Sequence, residues 1–280
     1  GYYRPFVVKG LYQVAGGGKA LGERLEEIFA EVDEAIAGGS NFIVLSDRDS
    51  NHTWGPIPSL LLTSAVQHHL LRKHTRTQIS MAVEAGDVRE IHHVALLIAY
   101  GAACVNPYLA FESVEDLART GYLKVDEHTA VKNLTKALSI GVLKIMSKMG
   151  ISTIRSYRGA ALFESIGLSQ SLLDRYMGGG TSKIGGIDID DIAAEALGEH
   201  AKAFGRLPEE DSPLENTGCY SYRKNGEQHA WNPETISRLQ IATRTGDYER
   251  FKEFTRTVNE KPHPIFLRLS LIHISEPTRP

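Results

Sequence analysis

Cysteine is nearly absent: Cys104 and Cys219 are the only two in 280 residues. Two thiols exclude a disulfide framework and an all-cysteine zinc site, and they suit a reducing, cytoplasmic compartment. An excess of either charge is also missing. The sequence has 31 Lys and Arg against 34 Asp and Glu, a formal net charge of −3. That balance argues against a nucleic-acid or anionic-membrane partner recruited by bulk charge. Long apolar runs are lacking too. Ser50 to Leu71 and Ile91 to Phe111 contain no Asp, Glu, Lys or Arg and are long enough to cross a bilayer. The first, however, holds Asn51, His52, Pro56, Pro58, His68 and His69, and the second His92, His93, Asn106 and Pro107. Polar and helix-breaking residues at that density predict buried globular elements and no membrane span. No initiator Met and no basic-then-apolar leader stands at Gly1, so the chain reads as an internal piece of something longer.

What is present is an ordinary apolar fraction of 42%, enough for a sizeable core in a chain this long. Leu21, Leu25, Ile28, Val32 and Ile36 recur at helical spacing and stop at Gly38-Gly39. Asn41 to Ser46 is a short apolar run, the pattern of a strand buried on both faces. A helix from about Ser59 follows, then a second such strand over Gln78 to Val83. Asp87 and Glu90 have capping-box spacing and predict the start of a helix carrying Ile91, Val94, Ala95 and Ile98. Gly101 stops it, and Ala102 to Val105 reads as a third strand. Such alternation predicts an α/β fold with parallel strands and crossover helices, either a barrel or an open doubly wound sheet. Beyond it come a long helix from Val131 to Met149 and a further strand at Ile151 to Ile154. A glycine-rich loop covers 178 to 186, and 205 to 229 reads as a polar connector. Helices then follow from Asn232-Pro233 through Gln240 and from Asp247 to Val258.

Candidate chemistry is sparse. Gly16-Gly17-Gly18-Lys19 and Gly178-Gly179-Gly180-Thr181-Ser182-Lys183 suggest phosphate loops, but neither has the Walker spacing or GxGxxG. The second still permits close backbone approach to an anion. His68, His69, His74, His92 and His93 lack the i, i+4 pairing with further ligands that a helical zinc site needs, so no metal site is assigned. Lys132, Lys136, Lys144 and Lys148 form one stripe, read as a solvated helix face. Asp47 and Asp49 after one strand and Asp87 after the next fall on the rim where a barrel carries its active site, suggestive of general acid/base work. Acidic helix caps explain the same positions. No nucleophilic triad and no GxSxG is found, so no catalytic or cofactor-binding residue is assigned.

Six ordered segments carry more information together. They are Ser40-Asn-Phe-Ile-Val-Leu-Ser-Asp-Arg48, Tyr100-Gly-Ala-Ala-Cys-Val-Asn-Pro-Tyr-Leu-Ala110, Lys144-Ile-Met-Ser-Lys-Met-Gly-Ile-Ser-Thr-Ile-Arg-Ser-Tyr-Arg158, Ser182-Lys-Ile-Gly-Gly186, His229-Ala-Trp-Asn-Pro233 and Val258-Asn-Glu-Lys-Pro262. In this order and spacing, from about residue 11 to 268, the chain resembles the large (alpha) subunit of glutamate synthase. The resemblance implies a (β/α)-barrel-like central domain over 1–205, truncated at its start. Over 206–268 it implies a connector and the start of an FMN-binding domain, with a helical segment.

In the family the large subunit joins a glutamine amidotransferase domain to an FMN barrel with a 3Fe-4S cluster, and the central domain lies between them without a cofactor. The implied reaction releases ammonia from glutamine, passes it along a tunnel and adds it to 2-oxoglutarate, and reduced FMN converts the imine to glutamate. Electrons would come from a small NADPH-oxidising subunit or from ferredoxin. The amidotransferase nucleophile, the FMN-contacting segments and the cluster cysteines have no counterpart here, so this piece is expected to be a non-catalytic spacer that binds no cofactor. Ser152, Thr153, Ser156, Tyr157 and Arg158, small hydroxyl residues and their neighbours beside a tight Gly150 turn, are the candidates for a tunnel wall or domain interface.

Two alternatives stand beside this. One is a free-standing barrel-like binding module; the other is an independent lyase or isomerase using Asp47, Asp49 and Asp87. After Arg268 the family pattern breaks off. Residues 269–280, Leu-Ser-Leu-Ile-His-Ile-Ser-Glu-Pro-Thr-Arg-Pro, resemble a translated sequencing adapter and are expected to be an artefact.

Overall fold

The computed structural model describes residues 3–204, 217–260 and 265–266; the tail at 269–280 lies outside them. The chain divides into two compact units, 1–207 and 208–280.

The first unit is built on a four-stranded parallel sheet. Its strands are β1 (Pro5–Lys9), β3 (Phe42–Ser46), β5 (Ser80–Glu84) and β6 (Cys104–Asn106), and they lie side by side in chain order. A short antiparallel pair, β2 (Leu11–Gln13) and β4 (Trp54–Pro56), sits apart from it. The crossovers are α1 (Gly17–Ala37), α2 (Ser59–Arg72) and α3 (Ile91–Ala99). Strand order that never reverses is the succession found along a barrel wall, and it sets this sheet apart from a doubly wound one.

Register explains which face is covered. Val8, Leu45, Val83 and Val105 lie in one row across the sheet. The first three are at most 1% exposed, and they join the cores containing Leu21, Leu25 and Ile28 of α1, Leu61 and Leu62 of α2, and Ala95 and Leu97 of α3. Each such aliphatic side chain contributes about 2 kcal/mol by leaving water. Val7, Val44, Ala82 and Cys104 form the neighbouring row on the other face, where Val7 and Cys104 are exposed. β3 and β5 are therefore not buried on both faces. Right-handed crossovers advancing in one direction put α1, α2 and α3 on the same side.

Three local expectations are corrected. Ile151 to Ile154 is not a strand. The Ile151 N–H donates to the Met146 carbonyl, closing the long helix α5 (Glu127–Lys148), and Thr153 then caps the short helix α6 (Ile154–Tyr157) by accepting from Ser156 N–H at 3.3 Å. Asp87 does not cap α3, whose N-cap Glu90 makes no side-chain capping bond. Its Oδ2 instead accepts the Ser59 N–H at 2.9 Å and caps α2 from the neighbouring loop. The third strand begins two residues late, at Cys104. Sequence reading also passes over β1, α4 (Tyr108–Arg119), α7 (Gln170–Tyr176) and α8 (Ile189–Phe204). In the second unit, α9 (Pro233–Thr245) opens on an Asn232–Thr235 capping box, and α10 (Tyr248–Asn259) opens on Asp247.

Candidate functional site

Parallel strands that start together also end together, so the loops after β1, β3, β5 and β6 form one rim. β3 ends at Ser46, and its next residues turn over the end of β5. Asp47 is 8% exposed. Its Oδ2 accepts the Gly86 N–H at 2.8 Å, and its Oδ1 is buried without a close partner. Burial raises its pKa, against the pull of the Gly86 N–H and the Tyr108 hydroxyl, while Asp87 adds to the rise. Tyr108 is in turn pushed well up, by burial first and then by the Asp47 charge.

Beside this pair the rim is held by ion pairs. Glu84 accepts from Ser46 Oγ at 2.7 Å, Arg48 Nε at 2.8 Å and Asn106 Nδ2 at 3.2 Å. Burial works to raise its pKa, and these bonds outweigh it and hold the value low. Arg48 also reaches Glu112 at 3.4 Å, and its guanidinium lies 4.0 Å from the centre of the Tyr108 ring. Asp49 turns away, with φ +71°, to pair with Lys9 at 2.8 Å. That bond lowers its pKa.

The three acids that sequence reading placed on one rim thus take three separate positions. Asp47 ties the β3 loop to the β5 loop, Asp49 binds the end of β1, and Asp87 caps α2. Ser46, Arg48, Glu84, Asn106, Tyr108 and Glu112, which sequence reading did not single out, close the remaining rim. Only strand-end register brings Glu84, Asn106 and Ser46 together, and register is not written in any local motif.

The Ser152–Arg158 segment follows α5. Ser152, Thr153 and Ser156 are exposed, Tyr157 is fully buried, and Arg158 is half-buried. The Tyr157 hydroxyl donates to the Ala95 carbonyl at 3.0 Å, and Gly159 N–H donates to the Ala99 carbonyl at 2.7 Å, pinning the segment to α3. Thr153 Oγ1 donates to Ser156 Oγ at 2.9 Å. The hydroxyls therefore sit on an outer turn anchored by one aromatic side chain.

The other candidates take structural places. His69 pairs with Asp33 at 2.9 Å and stacks on Phe29, with ring centres 4.5 Å apart. His93 accepts the Arg89 N–H at 3.1 Å. Among the described residues no group of three His, Cys, Asp or Glu is placed to hold a metal. The four lysines of α5 are exposed. Gly16 to Lys19 turns into α1, and Lys19 faces Glu23 at 3.8 Å. The Gly178 loop lines a cavity with His68, whose Nδ1–H donates to the Ser64 carbonyl at 2.8 Å and whose pKa is lowered by burial.

A three-iron cluster takes three cysteine ligands, and the sequence has two, in different units. The strand-end rim is lined by side chains bonded to one another.

Comparison with known proteins gives a coherent result. Residues 2–169 match the family model described as glutamate synthase central domain. The chain is 43% identical over 237 residues to the glutamate synthase [NADPH] large chain of Bacillus subtilis, covering 85% of this chain and 16% of that one. It is 38% identical over 258 residues to the large chain of Azospirillum brasilense, covering 92% and 17%. It is 37% identical over 256 residues to the chloroplastic ferredoxin-dependent glutamate synthase of Spinacia oleracea, covering 86% and 16%. The chain therefore spans 16 to 17% of the length of these relatives. Among solved structures a flavocytochrome b2 is similar at a TM-score of 0.40 and 16% identity, over 55% of this chain and 33% of that one.

Proposed function

The chain belongs to the glutamate synthase family, and on that premise we propose that it is an internal piece of the large subunit, a non-catalytic spacer between the amidotransferase and FMN domains. The observation that carries the reading is the central-domain match over residues 2–169, in a chain covering 16% of a relative 43% identical to it. The whole protein would convert glutamine and 2-oxoglutarate, with a reductant, to two glutamates. Its flavin and iron–sulfur cluster would be held outside this piece. Names of the relatives include NADPH-, NADH- and ferredoxin-dependent enzymes, and the electron donor stays open between a small NADPH-oxidising subunit and ferredoxin. No helix among the described residues is long and apolar enough to cross a membrane. The two free cysteines suit a cytoplasmic setting.

Structure suits a spacer in a specific way. The strand-end acids that an independent lyase would need are engaged in ties between loops, and this leaves a stiff frame. On its outside, the Ser152–Ser156 turn presents small hydroxyls at a position fixed by Tyr157. We place the tunnel wall or domain contact there, with Ser152, Thr153 and Ser156 facing the path, Tyr157 as anchor and Arg158 at its end. A dry, hydroxyl-lined path would keep ammonia unprotonated and prevent its loss to water.

The test is stoichiometry in the intact large subunit. Replacing Ser152 with Ala and Thr153 with Val together is expected to let glutamine hydrolysis run ahead of 2-oxoglutarate consumption. Unchanged one-to-one coupling in a folded variant would remove the tunnel assignment.

A further inference from the structure

Arg76 carries its charge into a half-buried place and finds only neutral acceptors there. Nη1 donates to the Ile79 carbonyl at 3.0 Å, Nη2 to the Gly101 carbonyl at 2.9 Å, and Nε to Gln67 Oε1. No carboxylate pairs with it among the described residues. Arg158, half-buried just after α6, has no side-chain hydrogen bond or ion pair among them either. The backbone brings the two cations together. Gly159 is bonded to the Ala99 carbonyl and Arg76 to the Gly101 carbonyl, so both hang on the turn that ends α3. Burial lowers the Arg76 pKa, and the Arg158 charge lowers it further. Two guanidinium groups in one partly desolvated corner repel, and a shared anion would relieve both.

This corner adjoins a cavity of about 520 Å³. Gln67, Tyr100 and Gly159 line it next to the arginines, and His68 and the Gly178–Thr181 loop also face it. The lining contains one carboxylate, Glu164, which is committed to Lys183 at 3.0 Å. Gly178 and Gly179, at φ +76° and +73°, leave the loop backbone open to close approach.

We propose that the corner formed by Arg76, Gln67 and Arg158 at the edge of this cavity binds a small oxyanion, a phosphate or a carboxylate, gripped by the Arg158 guanidinium and held by the charge of Arg76 beside it. The inference rests on the geometry of the first unit and stands or falls independently of the spacer reading.

The test compares thermal midpoints of the 280-residue chain in sodium phosphate, sodium succinate and sodium chloride at equal ionic strength. Phosphate or succinate is expected to raise the midpoint by about 3 °C over chloride at ten times the dissociation constant. That increment is expected to vanish in Arg158→Gln and persist in Arg155→Gln, an exposed neighbour on the same turn. A response to phosphate alone assigns the site to phosphates, and to succinate alone, to carboxylates. Equal midpoints in all three salts overturn the proposal, as does an increment that survives in Arg158→Gln or disappears in Arg155→Gln. If Arg158→Gln does not fold, phenylglyoxal labelling of the wild-type chain decides. Protection of Arg76 and Arg158 by phosphate, but not of Arg155, supports the site, and equal labelling with and without phosphate refutes it.

Discussion

Asp47 joins two strand-end loops through a single buried carboxylate, and its position sets up opposing effects. Its bond to Gly86 N–H favours the ion, burial disfavours it, and burial wins, so the folded pKa lies above the ordinary value. A carboxyl shifted this way contributes stability that is complete below the unfolded pKa, near 4, and is lost as pH rises through the folded value. Replacing Asp47 with Asn is therefore expected to look more favourable, relative to wild type, at pH 7 than at pH 4. Urea unfolding at the two values reads this, and the opposite order would show that the hydrogen bonds outweigh burial. Replacing it with Ala leaves the Gly86 N–H without its acceptor and is expected to cost about 1–3 kcal/mol at pH 7. The three rim acids could be found in the sequence as acids near strand ends. Their different tasks could not, because Gly86, Lys9 and Ser59, which decide those tasks, lie 39, 40 and 28 residues away from Asp47, Asp49 and Asp87 respectively.

Helices show the same division between local and distant information. α1, α9 and α10 were legible because their signals are local: a regular apolar spacing, an Asn-Pro start and an Asp cap. The Ile151–Ile154 strand was misread because a short apolar run suits a strand or a helix start equally, and only the Thr153–Ser156 bond separates them. α8 was missed because Ala193 and His200 are its only buried residues, too few to set a clear period. Gly141 in α5 is another distant effect. A helix interior prefers Ala to Gly by about 1 kcal/mol, yet a Cβ here would lie 2.5 and 2.6 Å from Ile91 Cγ1 and Cγ2 at the start of α3. Gly141→Ala is expected to destabilise the first unit by about 1–3 kcal/mol, as overpacking does. In an Ile91→Ala background the same substitution should cost less or become stabilising. A double-mutant cycle by chemical denaturation measures this, and strict additivity would show that the two helices do not meet there.

At the scale of the whole molecule, alternation alone predicted parallel strands with helices between them, and the sheet bears this out. Which face the helices cover depends on crossover direction, and it emerges only once the strands are ordered. The two units also differ in burial. β3 and β5 of the first are packed under helices, whereas α10 buries no residue and α9 buries two. Amide exchange is expected to be slowest in β3 and β5 and faster by orders of magnitude in α9 and α10. Equal protection would show that the second unit has a core of its own. The family assignment rests on six ordered segments and the central-domain match, and it carries a claim about what surrounds this piece in the gene. Long-read sequencing of the source locus, upstream of Gly1 and across the Arg268–Leu269 junction, tests that claim most directly. The account requires one open reading frame running upstream into amidotransferase sequence and, past Arg268, into FMN-barrel sequence in place of residues 269–280. A frame that starts near Gly1 and stops just after Pro280 would contradict it and leave a small free-standing protein whose function is not that of its longer relatives.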